Sequence, residues 1–259
     1  MRFLFRILKT LLVGSATALM AISAYAASEP PSDMDWGMDL PGIFKGIDTD
    51  KKVLALTFDA CGKISYTGEE RDYDEELIAF LRKGNIPATL FVNERWVKAH
   101  PDEFASLAED PLFEIGNHGT RHVPLSLTGR SAYGIAGTKN RTEVISEVKT
   151  CGDTIERSTG ENPRFFRAGT AHYDRASVKI VTELGYVVAG FSVNGDGGAT
   201  FSTDRVRDSV SSVRPGGVVL CHMNHPKSGT AEGIRAAVED LTKRGFRFLT
   251  LSELYDMGW

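Results

Sequence analysis

Two histidines four positions apart, His118 and His122, sit in the polar run Glu114-Ile115-Gly116-Asn117-His118-Gly119-Thr120-Arg121-His122. Two neutral imidazoles that converge on one point bind a borderline divalent metal such as zinc. At this spacing they converge if the backbone turns helically between them. A lone pair of this kind is more often an ordinary hydrogen-bonding pair, so its meaning depends on its company. Asp59 closes the apolar run Val53-Leu54-Ala55-Leu56-Thr57-Phe58 and places a carboxylate in an apolar surround. Arg167 follows Phe165-Phe166, Asp196 lies in Asn194-Gly195-Asp196-Gly197-Gly198, and His222 follows Val218-Val219-Leu220-Cys221. Of the six histidines, only His100 lies outside such segments. The set suits attack of water on a carbonyl, with a metal to polarise it, a base for the water proton and an acid for the leaving group. A nucleophile set is missing. Ser192 has no Gly-x-Ser-x-Gly context, nothing activates Cys61 as a thiolate, and no phosphate loop occurs.

The elements that must position these residues alternate in type. Apolar runs at 53–58, 88–92, 113–117, 165–168, 187–193, 217–222 and 246–251 read as strands. Segments 74–83, 94–109, 141–157, 175–184, 204–213 and 230–244 carry helical spacing, with Pro101 as a restart inside the second. Strands alternating with helices imply βαβ units and a parallel sheet. About seven such units favour a closed or nearly closed barrel, a distorted (β/α)7 type of α/β fold. Every residue singled out above then lies at a C-terminal strand end, on the face where such folds build their sites. For any one segment, a turn-capping Asp or a backbone-bonded His explains the residue equally well. Five segments on one face, each with a different useful group, strain that explanation. The stretch 123–140 is too long for a plain connector and is placed to border the site.

The chain of 259 residues, 42% hydrophobic and 25% charged, suits one globular domain. Its start differs from the rest. Arg2, Arg6 and Lys9 precede an uncharged apolar run, and Ala24-Tyr25-Ala26 is a small-x-small cleavage pattern. Residues 1–26 read as a signal peptide, 27–50 as an extended lead-in and 51–259 as the catalytic domain. The expectation is an exported protein, periplasmic or secreted, with no membrane span once the signal is removed. Losing those three basic residues makes the formal charge three units more negative than −4. An acidic exported domain is a poor nucleic-acid binder. Cys61, Cys151 and Cys221 leave at least one thiol unpaired and make no disulfide framework.

The order of these segments resembles the polysaccharide deacetylase family, the NodB-homology domain or carbohydrate esterase family four, over about residues 51–253. Thr57-Phe58-Asp59-Ala60 resembles the family's Thr-Phe-Asp-Asp, His118 and His122 its His-x-x-x-His, Arg167-Ala168-Gly169-Thr170 loosely its Arg-Pro-Pro-Tyr, and Leu220-Cys221-His222 its Leu-x-His. The resemblance implies Asp59 as general base, oriented by Arg167, and His222 as general acid, tuned by Asp196. It implies His118 and His122 as ligands of a divalent metal, zinc, and the Thr170 backbone N–H as an oxyanion donor. The implied substrate is an acetylated glycan containing N-acetylhexosamine. Ala60 stands where the family has a ligating Asp, so a third ligand has to come from His172, Asn224, His225, Asp59 or water. Two alternatives remain open: hydrolysis of another ester or non-peptide C–N bond, and a non-catalytic glycan-binding relative that has lost its metal.

Overall fold

The computed structural model describes residues 35–63 and 72–258. The expected signal peptide lies outside the described residues. The lead-in contributes two short strands, β1 (Trp36–Gly37) and β2 (Ile43–Phe44). All of β3 (Val53–Ala60) is buried, which is why its apolar run is nearly continuous. Helix α1 (Glu75–Lys83) starts on Asp74, whose side chain accepts the Leu77 N–H at 3.0 Å. After β4 (Ala88–Val92) the helical segment divides into α2 (Glu94–Ala99) and α3 (Pro101–Ala108). Pro101 has no N–H to continue the first helix and suits the first turn of the second. β5 (Phe113–Asn117) follows, and the long insert folds a hairpin of β6 (Ser131–Ala132) and β7 (Ile135–Ala136).

Helix α4 (Arg141–Thr159) is capped by Asn140 and ends at Gly160, whose φ of 78° is the left-handed conformation glycine tolerates. β8 (Phe165–Phe166), a 3-10 turn at Gly169–Ala171, β9 (Tyr173–Asp174) and α5 (Arg175–Glu183) come next. The single strand expected over 187–193 is two, β10 (Val187–Ala189) and β11 (Val193–Asn194). The chain changes neighbours between them: β10 pairs β8 and β2, whereas β11 pairs β12 at the other end of the strand path. The carbonyls of Ala189 and Gly190 at this break accept from the Arg167 guanidinium. After α6 (Thr203–Ser211), β12 (Gly217–His222) and α7 (Thr230–Lys243), the last strand β13 (Arg247–Leu249) is shorter than expected. Thr250 and Glu253 form a capping box there and start α8 (Leu251–Asp256), which periodicity did not reveal.

The main sheet is parallel and runs β11-β12-β3-β4-β5-β8-β10-β2, with β13 pairing the lower part of β3. Gly46, just past β2, bridges Gly217 at the start of β12, and the Ile47 N–H donates to the Gly216 carbonyl at 2.9 Å. That link curls the two ends of the strand path toward each other, the nearly closed parallel barrel the alternation implied. Alternation along β3 divides its two faces. Leu54, Leu56, Phe58 and Ala60 join the core shared with Leu77, Trp96 and Leu241 on the helices. Val53 and Ala55 pack with Phe91, Phe165 and Val218 in a second core. By the period of two, Thr57 and Asp59 share that second face.

Burial ranks two substitutions. Leu56→Ala, at a fully buried position, is expected to lower unfolding free energy by about 2–5 kcal/mol. Thr250→Ala, which removes one cap, is expected to cost about 1 kcal/mol. Urea denaturation of both variants checks this, and equal losses would contradict the assigned core.

Candidate active site

Asp59 and Arg167 are both buried, and each is the reason the other is tolerated. One guanidinium nitrogen of Arg167 donates to Asp59 Oδ1 at 2.7 Å and to Thr57 Oγ1 at 3.0 Å. The others donate to the carbonyls of Gly190 at 3.0 Å and Ala189 at 3.4 Å. The guanidinium lies 4.2 Å from the centre of the Phe91 ring, a cation–π contact. Burial alone would raise the Asp59 pKa. The charge of Arg167, with its hydrogen bond and the charge of His222, outweighs it and holds the carboxyl below its ordinary value. Asp59 is therefore an ionised base with one oxygen held by Arg167.

His118 and His122 come together, but not by a helical turn. The backbone between them is a loop in which Gly119 has φ 76° and His122 φ 59°. The rings meet edge to face with centroids 4.9 Å apart. His118 Nδ1 faces the Arg167 carbonyl at 2.8 Å, and a carbonyl only accepts, so Nδ1 carries the proton. Nε2 is left as a lone pair, buried and without a hydrogen-bond partner, 3.5 Å from Asp59 Oδ2. Burial pushes the His118 pKa down and that of His122 down to about 3, so both rings stay neutral. Neutral imidazoles, one with an orphaned buried nitrogen and the Arg167 carbonyl fixing its other nitrogen, fit a divalent metal. Among the described residues, no three or more His, Cys, Asp or Glu side chains are grouped to hold a metal.

The position of Ala60 explains part of that. It is the last residue of β3, packed in the helix-side core and fully buried. Of the substitutes considered, His172 bonds the Thr170 carbonyl through Nδ1 at 2.7 Å and sits between Trp36 and Tyr133. Asn224 and His225 line a different cavity with Cys61, and Asn224 Nδ2 donates to the Cys61 carbonyl at 2.9 Å. Asp59 Oδ2 is the oxygen near the pair. Cys61, Cys151 and Cys221 are free thiols, and burial raises the pKa of each.

His222 stands opposite Asp59 in the β12–β3 register, so the two side chains share one face. Its Nδ1 lies 2.9 Å from Asp196 Oδ1, and its backbone N–H donates to Asp196 Oδ2 at 2.7 Å. Thr230 Oγ1 and the Gly198 N–H complete the ring of donors around that buried carboxylate, at 3.0 and 3.2 Å. Burial alone would lower the His222 pKa, but the bond and charge of Asp196 raise it above the ordinary value. The Asp196 carboxyl is held low by the same pair despite its own burial. Asp196 thus favours the protonated form of His222, whose Nε2 is directed away from that anchor.

Asp59, His122, Thr170 and His222 line one cavity of about 320 Å3, with His118, Arg167 and Asp196 behind its wall. Thr170 has φ 68° and Ala171 φ 54°, so the loop after β8 is held in the left-handed region at two non-glycine residues. Gly169 lies against the His122 backbone so closely that a Cβ there would collide with it. This glycine, in the segment compared with Arg-Pro-Pro-Tyr, allows the arginine loop to touch the histidine loop.

Sequence reasoning passed over Glu147. From α4 its carboxylate accepts the Arg121 backbone N–H at 2.8 Å and the Arg121 guanidinium at 3.1 Å, and its carbonyl accepts from Thr120. The segment between the two histidines is clamped by this buried acid. The available signal was a charge lying on the helix's apolar stripe of Val144, Val148, Cys151 and Ile155.

Comparison with known proteins identifies the family and the fold. The family model for polysaccharide deacetylase matches residues 46–189. The peptidoglycan-N-acetylmuramic acid deacetylase PdaA of Bacillus subtilis is 24% identical over 240 residues, covering 87% of this chain and 81% of that protein. Its structure superposes with a TM-score of 0.69, at 22% identity over 84% of this chain and 86% of that one. A carbohydrate esterase family 4 pseudoenzyme from Bacillus anthracis matches with TM-score 0.67 and 23% identity, over 83% of this chain and 69% of its own. A mutant of that pseudoenzyme with restored enzymatic activity matches at 0.68 and 25%, over 83% and 71%. An acetyl xylan esterase from Clostridium thermocellum, in complex with a cobalt ion, matches at 0.61 and 22%, over 80% and 91%. With a family model spanning more than half its length and the same curled parallel sheet beneath it, this chain belongs to the polysaccharide deacetylase family.

Proposed function

We propose that the protein is an exported hydrolase that removes acetyl groups from the N-acetylhexosamine units of a glycan. The observation that carries this reading is the pairing of Asp59 with His222 across one register step. The first is held ionised by Arg167 and the second held protonated by Asp196, and both face the same cavity. Two groups with pKa values pushed apart are what water attack on an amide needs.

In this reading Asp59 takes a proton from the attacking water through Oδ2, the oxygen not bonded to Arg167. Arg167 keeps the carboxylate aimed and ionised. His222 delivers its Nε2 proton to the departing sugar amine, and Asp196 stabilises the charged ring before that transfer. The Thr170 backbone N–H is the candidate donor to the developing oxyanion. His118 and His122 would hold a divalent metal, which when bound supplies Lewis-acid polarisation of the acetyl carbonyl. Two imidazoles hold such an ion less firmly than a three-ligand set does, so zinc or cobalt is expected to exchange readily. Export rests on the basic start, the apolar run and Ala24-Tyr25-Ala26. Among the described residues, no helix is long and apolar enough to cross a membrane.

One observation favours a second reading, glycan binding without turnover. Ala60 supplies no carboxylate, and one solved structure similar to this chain is that of a pseudoenzyme. Acetate release separates the two. On acetylated chitooligosaccharides or peptidoglycan, Asp59→Asn and His222→Ala are each expected to lower kcat by about 10²–10⁴-fold. Wild-type rates in either variant would remove the assigned role. Activity requires ionised Asp59 and protonated His222, so it should fall as pH rises through the His222 pKa, which lies above the ordinary 6.5. Asp196→Asn removes the partner that raises that pKa and should move the alkaline limb to lower pH. A pH–rate profile of kcat with an unmoved limb would contradict the pairing. Dialysis against a chelator should abolish acetate release, and added zinc or cobalt should restore it. Elemental analysis before and after gives the metal content, and full activity in metal-free protein would refute the His118–His122 assignment.

A further inference from the structure

The hairpin of β6 and β7 carries a feature that the chemistry above does not use. Tyr133 stands at its tip, 76% exposed, the most exposed of the large apolar side chains described. Its backbone has φ 52° and the following Gly134 φ 77°. Two consecutive left-handed residues joining paired strands are the primed hairpin turn, whose first position favours Asn, Asp or Gly. A bulky aromatic there is strained, and strain of this kind persists where the surroundings hold it.

The surroundings do hold it. The Gly137 N–H donates to the Arg130 carbonyl at 3.0 Å, the Gly129 N–H to Thr138 at 3.0 Å and the Thr138 N–H to Pro124 at 3.1 Å. Thr138 Oγ1 accepts from the Ser126 N–H at 2.8 Å and donates to the Ser126 carbonyl at 2.7 Å. The Tyr133 ring stands edge-on to His172, with centroids 5.3 Å apart at 89°. His172 packs on Trp36 at 5.7 Å, and the Arg130 guanidinium lies 5.8 Å from the Trp36 ring centre. Through its Nδ1, His172 is also tied to the Thr170 carbonyl of the site loop. Tyr133 is thus a braced ring, and it lines the same cavity as Asp59 and His222.

We infer that Tyr133 is a sugar-stacking platform: it takes the pyranose next to the one deacetylated and makes the site select oligosaccharides over monosaccharides. The cavity of about 320 Å3 is at the small end of ligand sites, enough for one unit and not for a chain. A polymer must therefore leave over the rim, where Tyr133 stands exposed. The C–H faces of a pyranose are apolar and weakly positive, complementary to the negative face of an aromatic ring. A rigid Tyr offers that surface with little loss of side-chain freedom on binding. This proposal rests on the glycan reading of the site for its ligand class but not on turnover.

The test is binding, measured by calorimetry on the full protein carrying Asp59→Asn, or His222→Ala where a thermal melt shows that the unpaired Arg167 unfolds the first. Either background is expected to hold substrate without consuming it. The probes are N-acetylglucosamine, its β-linked tetramer and peptide-free peptidoglycan strands. Tyr133→Ala is expected to lower the preference for tetramer or strand over monosaccharide by about tenfold. Tyr133→Trp is expected to restore it, and thermal melts of both variants report on folding. An equal loss for monosaccharide and oligomers would indicate a merely structural role and overturn the platform. So would an unchanged length preference in Tyr133→Ala, or no tighter binding of oligomers than of monosaccharide before that change. If the protein without Asp59→Asn releases no acetate while oligomer binding still depends on Tyr133, the platform stands and the deacetylase reading fails.

Discussion

The structure depends on the buried contact between Arg167 and Asp59. Neither charge is affordable alone in this interior, since an unpaired buried ion carries a penalty of several kcal/mol. Arg167 meets the cost with planar, multiple donation: one carboxylate oxygen, one hydroxyl and two carbonyls, over the face of Phe91. The consequences spread outward. It takes the carbonyls of Ala189 and Gly190, where the chain leaves β2 and β8 for β12. Its own carbonyl fixes the tautomer of His118. A single residue therefore aims the proposed base and aligns the proposed metal clasp.

The second carboxylate works by the opposite arrangement. Asp196 is buried with both oxygens engaged by donors, so it holds His222 in place. One aspartate has a free oxygen beside an orphaned imidazole nitrogen, and the other has both oxygens engaged. Similar groups acquire different chemistry because their neighbours differ. The closeness of the loops is enforced sterically as well. Gly169 lets the arginine loop touch His122, and Glu147 pins the turn between the histidines. These contacts hold the His118–His122 pair in place.

Much of this was legible in the sequence because strands buried on both faces are almost wholly apolar. Val53–Phe58, Ala88–Val92 and Gly217–His222 stand out for that reason, and each ends on or runs into a polar group. Asp59, His118 and His222 were found as strand ends, and the parallel order followed from helices between strands. Less legible were elements set by contact. The break between β10 and β11 comes where the chain exchanges one set of strand neighbours for another, β8 and β2 for β12. Helix α8 is six residues long, too short to show a period. The histidine pair at i, i+4 suggested a helical turn, yet a glycine and a left-handed histidine bring the rings together instead.

The sequence by itself determined the types of group present, their order and the alternation that sends them to one face of a parallel sheet. These are local properties, set by periods of two and 3.6 and by capping residues. Tertiary structure decided which oxygen of Asp59 is free, which nitrogen of His118 is orphaned, that His172 belongs to an aromatic stack with Trp36 and Tyr133, and that Tyr133 lines the cavity. Those outcomes depend on distances between residues far apart in the chain, such as the 108 positions separating Asp59 from Arg167. Proton position and charge state respond to neighbours within a few ångströms, and only the folded chain supplies those neighbours.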